Sequence, residues 1–171
     1  MKKTLLTFIL LVQGVLLFAQ KHHGVIKNGE FVWEKVYKGK RGLLKNKRYL
    51  TLNLTMYDLR EYSNRIAYEM DDVFLRCNSV WSTFNNTVVS GHVMIDFKDD
   101  DYRVMITKVR FKKFPENLDN ITPSYTTFEK KYMNRKATKF KSIYHRDLEE
   151  RLNLTFDVLF TMPSDDESWT E

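Results

Sequence analysis

The sequence predicts an α+β domain: an antiparallel sheet of roughly four to six strands, packed by helix from the C-terminal part of the chain. Two patterns carry this expectation. Between Val88 and Phe111, two runs of period-two alternation flank the polar stretch Asp99-Asp100-Asp101, the form of a β-hairpin. Beyond Thr127 no Gly or Pro occurs until Pro163, and Met133, Ala137, Phe140, Tyr144, Leu148, Leu152 and Leu159 fall at helical spacings. The 12 Phe, 9 Tyr and 3 Trp supply the apolar area for a core that has no disulfide to help it.

The chain opens as an export leader. Lys2 and Lys3 hold the amino end in the cytoplasm, and the apolar run Thr4 to Phe18 is shorter than the roughly 20 residues a permanent span needs. Leu17-Phe18-Ala19 then offers a small residue at the cut, placing cleavage between Ala19 and Gln20. The expected organisation is a signal peptide at 1–19, a flexible lead-in at 20–30, one domain at 31–163 and an acidic tail at 164–171. The expected location is the periplasm or the medium. With no second long apolar stretch, the mature protein is expected to be soluble or peripheral rather than transmembrane.

Within the domain, Phe31 to Tyr37 (FVWEKVY) is short, aromatic and β-branched, and reads as the first strand. Gly39 and Gly42 bracket a basic loop. Tyr49 to Tyr57 alternates Leu50, Leu52, Leu54 and Met56 with Thr51, Asn53 and Thr55, the pattern of a strand with one buried face. Glu61 to Cys77 fits both periods; the reading leans to strand, with Asp71-Asp72 as a turn. In the hairpin, Gly91 marks a bulge or a close backbone approach. Its second strand carries apolar residues on both faces, Val104 and Ile106 against Met105, Val109 and Phe111, as a central strand does. Phe114 to Ser124 is a connection. Thr126-Thr127-Phe128-Glu129 has the form of a capping box at the start of the helix. Lys130, Lys141 and Arg151 interrupt its apolar face, which allows a kink or two successive helices.

Charge and cysteine narrow the chemistry. The net charge of +6 is unevenly spread. Lys35, Lys38, Lys40, Arg41, Lys45, Lys47 and Arg48 form a basic segment without an acid, and Asp165, Asp166, Glu167 and Glu171 crowd the tail. In an exported protein such a segment faces anionic lipid, surface polymer or another protein rather than nucleic acid. Cys77 is alone, so it is a buried thiol or an intermolecular bridge; Val73, Phe74 and Leu75 before it favour burial.

No catalytic motif stands out. There is no G-x-S-x-G elbow, no H-E-x-x-H, no Cys/His ligand spacing and no glycine-rich phosphate loop. Ser90 and His92 share a strand face, but nothing marks an oxyanion site beside them. Lys98-Asp99-Asp100-Asp101 lacks the spaced acids and glycine of a calcium loop. One metal possibility follows from the cleavage site. A chain starting Gln20-Lys21-His22 offers its amine, two amide nitrogens and an imidazole as a square-planar set for Cu(II) or Ni(II), with His23 as an axial contact. No other cofactor is expected.

Four segments together carry a resemblance: the leader ending FAQ, FVWEKVY, VVSGHVMIDFKDDDYRVMITKVRF, and the acidic end DDESW. They are similar to a family of exported Bacteroidota proteins, a domain of unknown function with a TATA-binding-protein-like fold. The resemblance covers about two thirds of the mature chain by pattern; Asp-Asp-Asp stands where that family often has a glycine-containing turn, and Glu61 to Cys77 matches poorly. It implies a curved antiparallel sheet backed by helices. It assigns no functional residue and implies no DNA binding, since fold is not function.

The functional expectation is therefore a non-enzymatic envelope module that binds a protein or an anionic surface polymer. The candidate surfaces are the basic segment Lys35 to Arg48 and a helix face carrying Lys131, Arg135 and Lys139. Trp33, Tyr37 and Trp81 are anchors if exposed, and are expected in the core. The alternatives are a hydrolase acting on a surface polymer, recognised by a cleft with convergent ionisable groups, or the Cu/Ni-binding terminus.

Overall fold

In the computed structural model, residues 23–39, 42–54, 56–76, 87–113 and 123–162 are described. The leader, His22, Lys40, Arg41, Cys77, Trp81 and the acidic tail lie outside them.

Seven antiparallel strands form one sheet: β1 (Gly24–Lys27), β2 (Glu30–Lys38), β3 (Tyr57–Glu61), β4 (Arg65–Phe74), β5 (Thr87–Lys98), β6 (Asp101–Lys113) and β7 (Ser124–Thr127). Their order is β1-β2-β6-β5-β4-β3, and β7 pairs with the last residues of β6, beyond the stretch that pairs with β2. Helices α1 (Leu43–Asn53), α2 (Phe128–Tyr132) and α3 (Glu149–Phe160) pack against one face, α3 being led in by a π-helical turn at Tyr144–Leu148. The expected fold class is the observed one.

The hairpin of β5 and β6 forms the middle of the sheet, and β6 is a central strand as expected. Its apolar residues, Met105 excepted, serve one face. Tyr102, Val104 and Ile106 are buried, and so are Val109 and Phe111. Lys108, at φ 52°, makes Lys108-Val109 two residues opposite Gly91 alone, so the alternation slips by one and returns Val109 to the core side. Gly91 is thus both at a bulge and closely approached: a Cβ there would meet the Thr107 carbonyl oxygen at 3.0 Å and Ile106 Cγ2 at 3.2 Å.

Several expectations are corrected. The lead-in is ordered from Gly24, where β1 pairs with β2 around Asn28-Gly29, both at positive φ. Asn-Gly is the favoured dipeptide of a two-residue hairpin turn, because both positions must adopt left-handed backbone. Residues 49–53 are helix rather than strand, and the strand that follows begins only at Tyr57. Asn46 and Leu50 are buried, with Leu43 and Leu54 packed beside them, whereas Leu44 and Leu52 are exposed. That spacing is helical, and the apparent alternation of leucines is a coincidence of a short window. Glu61 to Cys77 does contain a strand, but Asp71-Asp72 is a bulge opposite Ser90 within β4, not a turn.

The helical C-terminus is also broken. Thr127, not Thr126, caps α2, accepting the Lys130 amide at 3.4 Å. Glu129 does not complete a capping box; its carboxylate accepts the Phe31 amide of β2 at 3.2 Å. After Tyr132 the chain leaves the helix, because Asn134 Oδ1 accepts the amides of Thr138 at 2.8 Å and Lys139 at 3.3 Å. Such a side chain offers backbone donors an alternative to the helix. Met133 bridges to Phe140, closing a tight loop with Ala137 at φ 53°.

The core lies between the sheet and the helices and is strongly aromatic. Phe31 stacks on Phe128 with centroids 3.7 Å apart, and Tyr144 meets both edge-on. Trp33 meets Phe156 at 4.9 Å and donates its indole N–H to Asn153 at 2.8 Å. Trp33 and Tyr37 are therefore core residues, as expected. Burial raises the Tyr37 phenol well above its ordinary pKa, with the Asp157 charge adding to the effect.

Candidate functional site

The basic segment is not one surface. Lys35 of β2 reaches Asp157 of α3 at 2.6 Å, Lys38 meets Asp101 at 2.5 Å, and Lys47 of α1 meets Glu61 at 3.0 Å. Three of its cations thus hold elements together. Lys45 and Arg48 are exposed on α1 and form no ion pair with a described residue. Beside this helix, Asn46 donates to the Asp100 carbonyl at 3.1 Å, which fixes α1 to the tip of the β5–β6 hairpin.

Lys131, Arg135 and Lys139 lie at the opposite end of the helical layer. Phe128 of α2 stacks on Phe31 at the start of β2, whereas α1 sits by Gly39 at its end. Eight residues of strand separate these points by about 26 Å, at about 3.3 Å per residue. The two basic groups are therefore separate in space. Nor do the three residues share a helix face: Lys131 is on α2, and Arg135 and Lys139 are on the loop closed by Met133 and Phe140.

That loop is more basic than those three residues alone. Phe128 to Lys141 contains Lys130, Lys131, Arg135, Lys136, Lys139 and Lys141 and one acid, Glu129, whose Oε1 accepts the Phe31 amide. All six cations are exposed. Lys141 Nζ donates to the Lys131 carbonyl at 2.9 Å, closing the end of α2. Lys131 Nζ lies 5.2 Å from the Tyr132 ring centre. Its ammonium pKa is lowered, first by loss of surrounding water and then by the charge of nearby Lys113 on β6. Like charges are held together here by the fold. Lys130, Lys136 and Lys141 belong to the group although the helical wheel scattered them; the run of basic residues with a single acid was the available signal.

The face of the sheet that carries no helix among the described residues is polar and cross-linked. Asp96 of β5 takes Arg65 of β4 on one side and Arg103 of β6 at 2.8 Å on the other, and Arg103 also faces Glu34 of β2 at 3.5 Å. Burial pushes the Asp96 carboxyl upward, but the Arg65 and Arg103 hydrogen bonds and charges outweigh it and hold its pKa below the ordinary value. Ser90 and His92 are engaged separately. Ser90 Oγ donates to Asp71 at 2.7 Å, and His92 Nδ1 pairs with Glu69 at 2.9 Å, so the two are not arranged as nucleophile and base. Among the described residues no group of three His, Cys, Asp or Glu side chains is placed to hold a metal ion. His23 lies with its ring 5.6 Å from Trp33, and its carbonyl accepts the Glu34 amide at 2.9 Å. No helix among the described residues is long and apolar enough to cross a membrane.

No family model and no curated protein matches this chain. Two solved structures are similar. A TBP-like protein from Parabacteroides distasonis superposes with a TM-score of 0.52 at 10% identity, covering 80% of this chain and 94% of its own. A DUF4468 family protein from Bacteroides ovatus gives a TM-score of 0.43 at 17% identity, covering 85% of this chain and 94% of its own. Neither description names an enzyme. The first likeness, with the open antiparallel sheet and its one-sided helical layer, establishes what this chain shares: the fold of a TBP-like protein.

Proposed function

We propose that this domain is an exported, non-enzymatic module of the cell envelope that binds an anionic surface polymer through its basic end. The observation that carries this reading is the stretch Phe128 to Lys141, where six cations are exposed and the single carboxylate reaches back to the Phe31 amide. A rigid, crowded patch of one sign concentrates a polyanion and binds it with little reorganisation. The leader Met1 to Ala19 supports the compartment, and the three paired lysines Lys35, Lys38 and Lys47 shift the binding role from the first basic segment to this one.

The test is salt elution from an anionic polysaccharide column, with the wild-type chain beside R135Q/K136Q/K139Q. Those three side chains are exposed, so the fold is expected to stand without them. The variant should elute at clearly lower salt, because exposed ionic contacts are screened and fewer remain. Co-elution with wild type would refute the reading.

A further inference from the structure

A groove on the helix-free face has no part in the basic end. Three bulges surround it. Asp58-Leu59 of β3 stands opposite Tyr68, Asp71-Asp72 of β4 opposite Ser90, and Lys108-Val109 of β6 opposite Gly91. Each contains a non-glycine residue in left-handed backbone, Asp58 at φ 52°, Asp72 at 50° and Lys108 at 52°. A bulge bends its strand and raises the local twist, and three on neighbouring strands crease the sheet.

The crease opens into a space of about 490 Å³, lined by Tyr57, Asp58, Glu69, Asp71, Lys108 and Arg110. Its volume is in the range of small-ligand sites, roughly 300–1,000 Å³. The charges are sorted by wall. Asp58, Glu69 and Asp71 stand on β3 and β4, and Lys108 and Arg110 stand on β6. Between the walls runs β5, whose side chains on this face, Ser90 and His92, turn toward the acidic wall. Neither Lys108 nor Arg110 forms an ion pair with another described residue, and neither does Asp58. The acid wall is set in place by its neighbours. His92 engages Glu69 through Oε1 and Ser90 engages Asp71 through Oδ1.

We infer that this crease binds a short zwitterionic peptide, its amine on the acidic wall and its carboxylate on Lys108 and Arg110. An arginine fork matches a carboxylate in two parallel hydrogen bonds. Strands β4 and β6 are two spacings apart, about 10 Å, a span that two or three extended residues cover at about 7–10 Å. At the neighbouring position the chain bridges the same two strands itself, Lys112 Nζ meeting Asp72 at 2.6 Å.

Chemical-shift mapping of the full domain with trialanine tests this, with N-acetyl-trialanine amide as the uncharged control. Trialanine should move the amides of Asp58, Glu69, Asp71 and Arg110, the capped peptide should not, and R110Q should weaken binding by about tenfold, as expected for a lost charge-assisted bond. D58N gives the same reading from the other wall if R110Q fails to fold. Equal shifts with the capped peptide, shifts confined to residues 128–141, or no shift at millimolar trialanine would each overturn the assignment. Only the second of these bears on the basic end, so failure here is distinct from failure of the polymer-binding reading.

Discussion

The two faces of the sheet are built on opposite principles. Toward the helices, strands β2, β5 and β6 present Phe31, Trp33, Val93, Ile95, Val104 and Ile106, all fully buried. Away from them, the same strands present Glu34, Asp96 and Arg103, joined in a ladder of ion pairs that remains in contact with water. The first face removes aromatic area from solvent, a gain that depends on shape and volume. The second satisfies polar groups at a surface, where each pair contributes little. Stability therefore belongs to one face, and the other is free to vary in charge and to meet a ligand.

The sharpest way to break that division is in the aromatic stack. Phe128→Ala removes a ring packed on Phe31, Phe111, Tyr132 and Tyr144, and should cost about 3–5 kcal/mol in chemical denaturation. A smaller loss is expected where backbone approaches backbone. A Cβ on Gly39 would overlap the Asp100 carbonyl oxygen and the Asn46 side chain, so Gly39→Ala must push α1 from the hairpin tip, at about 1–3 kcal/mol. Preserved stability in either variant would mean that the helical layer is not what holds the sheet.

The open face should respond to pH instead. Because the Asp96 pKa is lower in the folded chain than in the unfolded one, its ion pairs stabilise the fold above the unfolded value of about 3.9 and cease to do so as pH falls through the folded value. The stability difference between wild type and D96N should thus be constant from neutral pH to about 5 and shrink below about 4. A difference that grew on acidification would reverse the sign of the argument.

These contrasts also explain what could be read without a structure. The β5–β6 hairpin was legible because both strands are long and their alternation extends over many residues, beyond the reach of coincidence. The segment Tyr49 to Tyr57 was not, because its alternation covers only about two turns of helix, too short a window to decide, and Leu50 with Leu43 and Leu54 decided it through packing. The phase slip at Lys108 is invisible to any periodic reading, since nothing in a lysine announces a left-handed backbone. The Asn28-Gly29 turn was a local signal that composition overshadowed, next to the histidines and glycines of an apparent lead-in. For the basic end, the charges were visible but their grouping was not: Asn134 ends the helix and folds Arg135, Lys136 and Lys139 onto a common loop.

The smallest expected change in stability is paired with the largest change in binding. Removing exposed charges away from structural contacts usually alters stability by no more than about 0.5 kcal/mol. The decisive measurement is therefore a single comparison of wild type with R135Q/K136Q/K139Q, reading unfolding free energy and polymer affinity on the same preparations. Unchanged stability with affinity lost is the predicted result; affinity retained at full strength would contradict the assignment of binding to the basic loop.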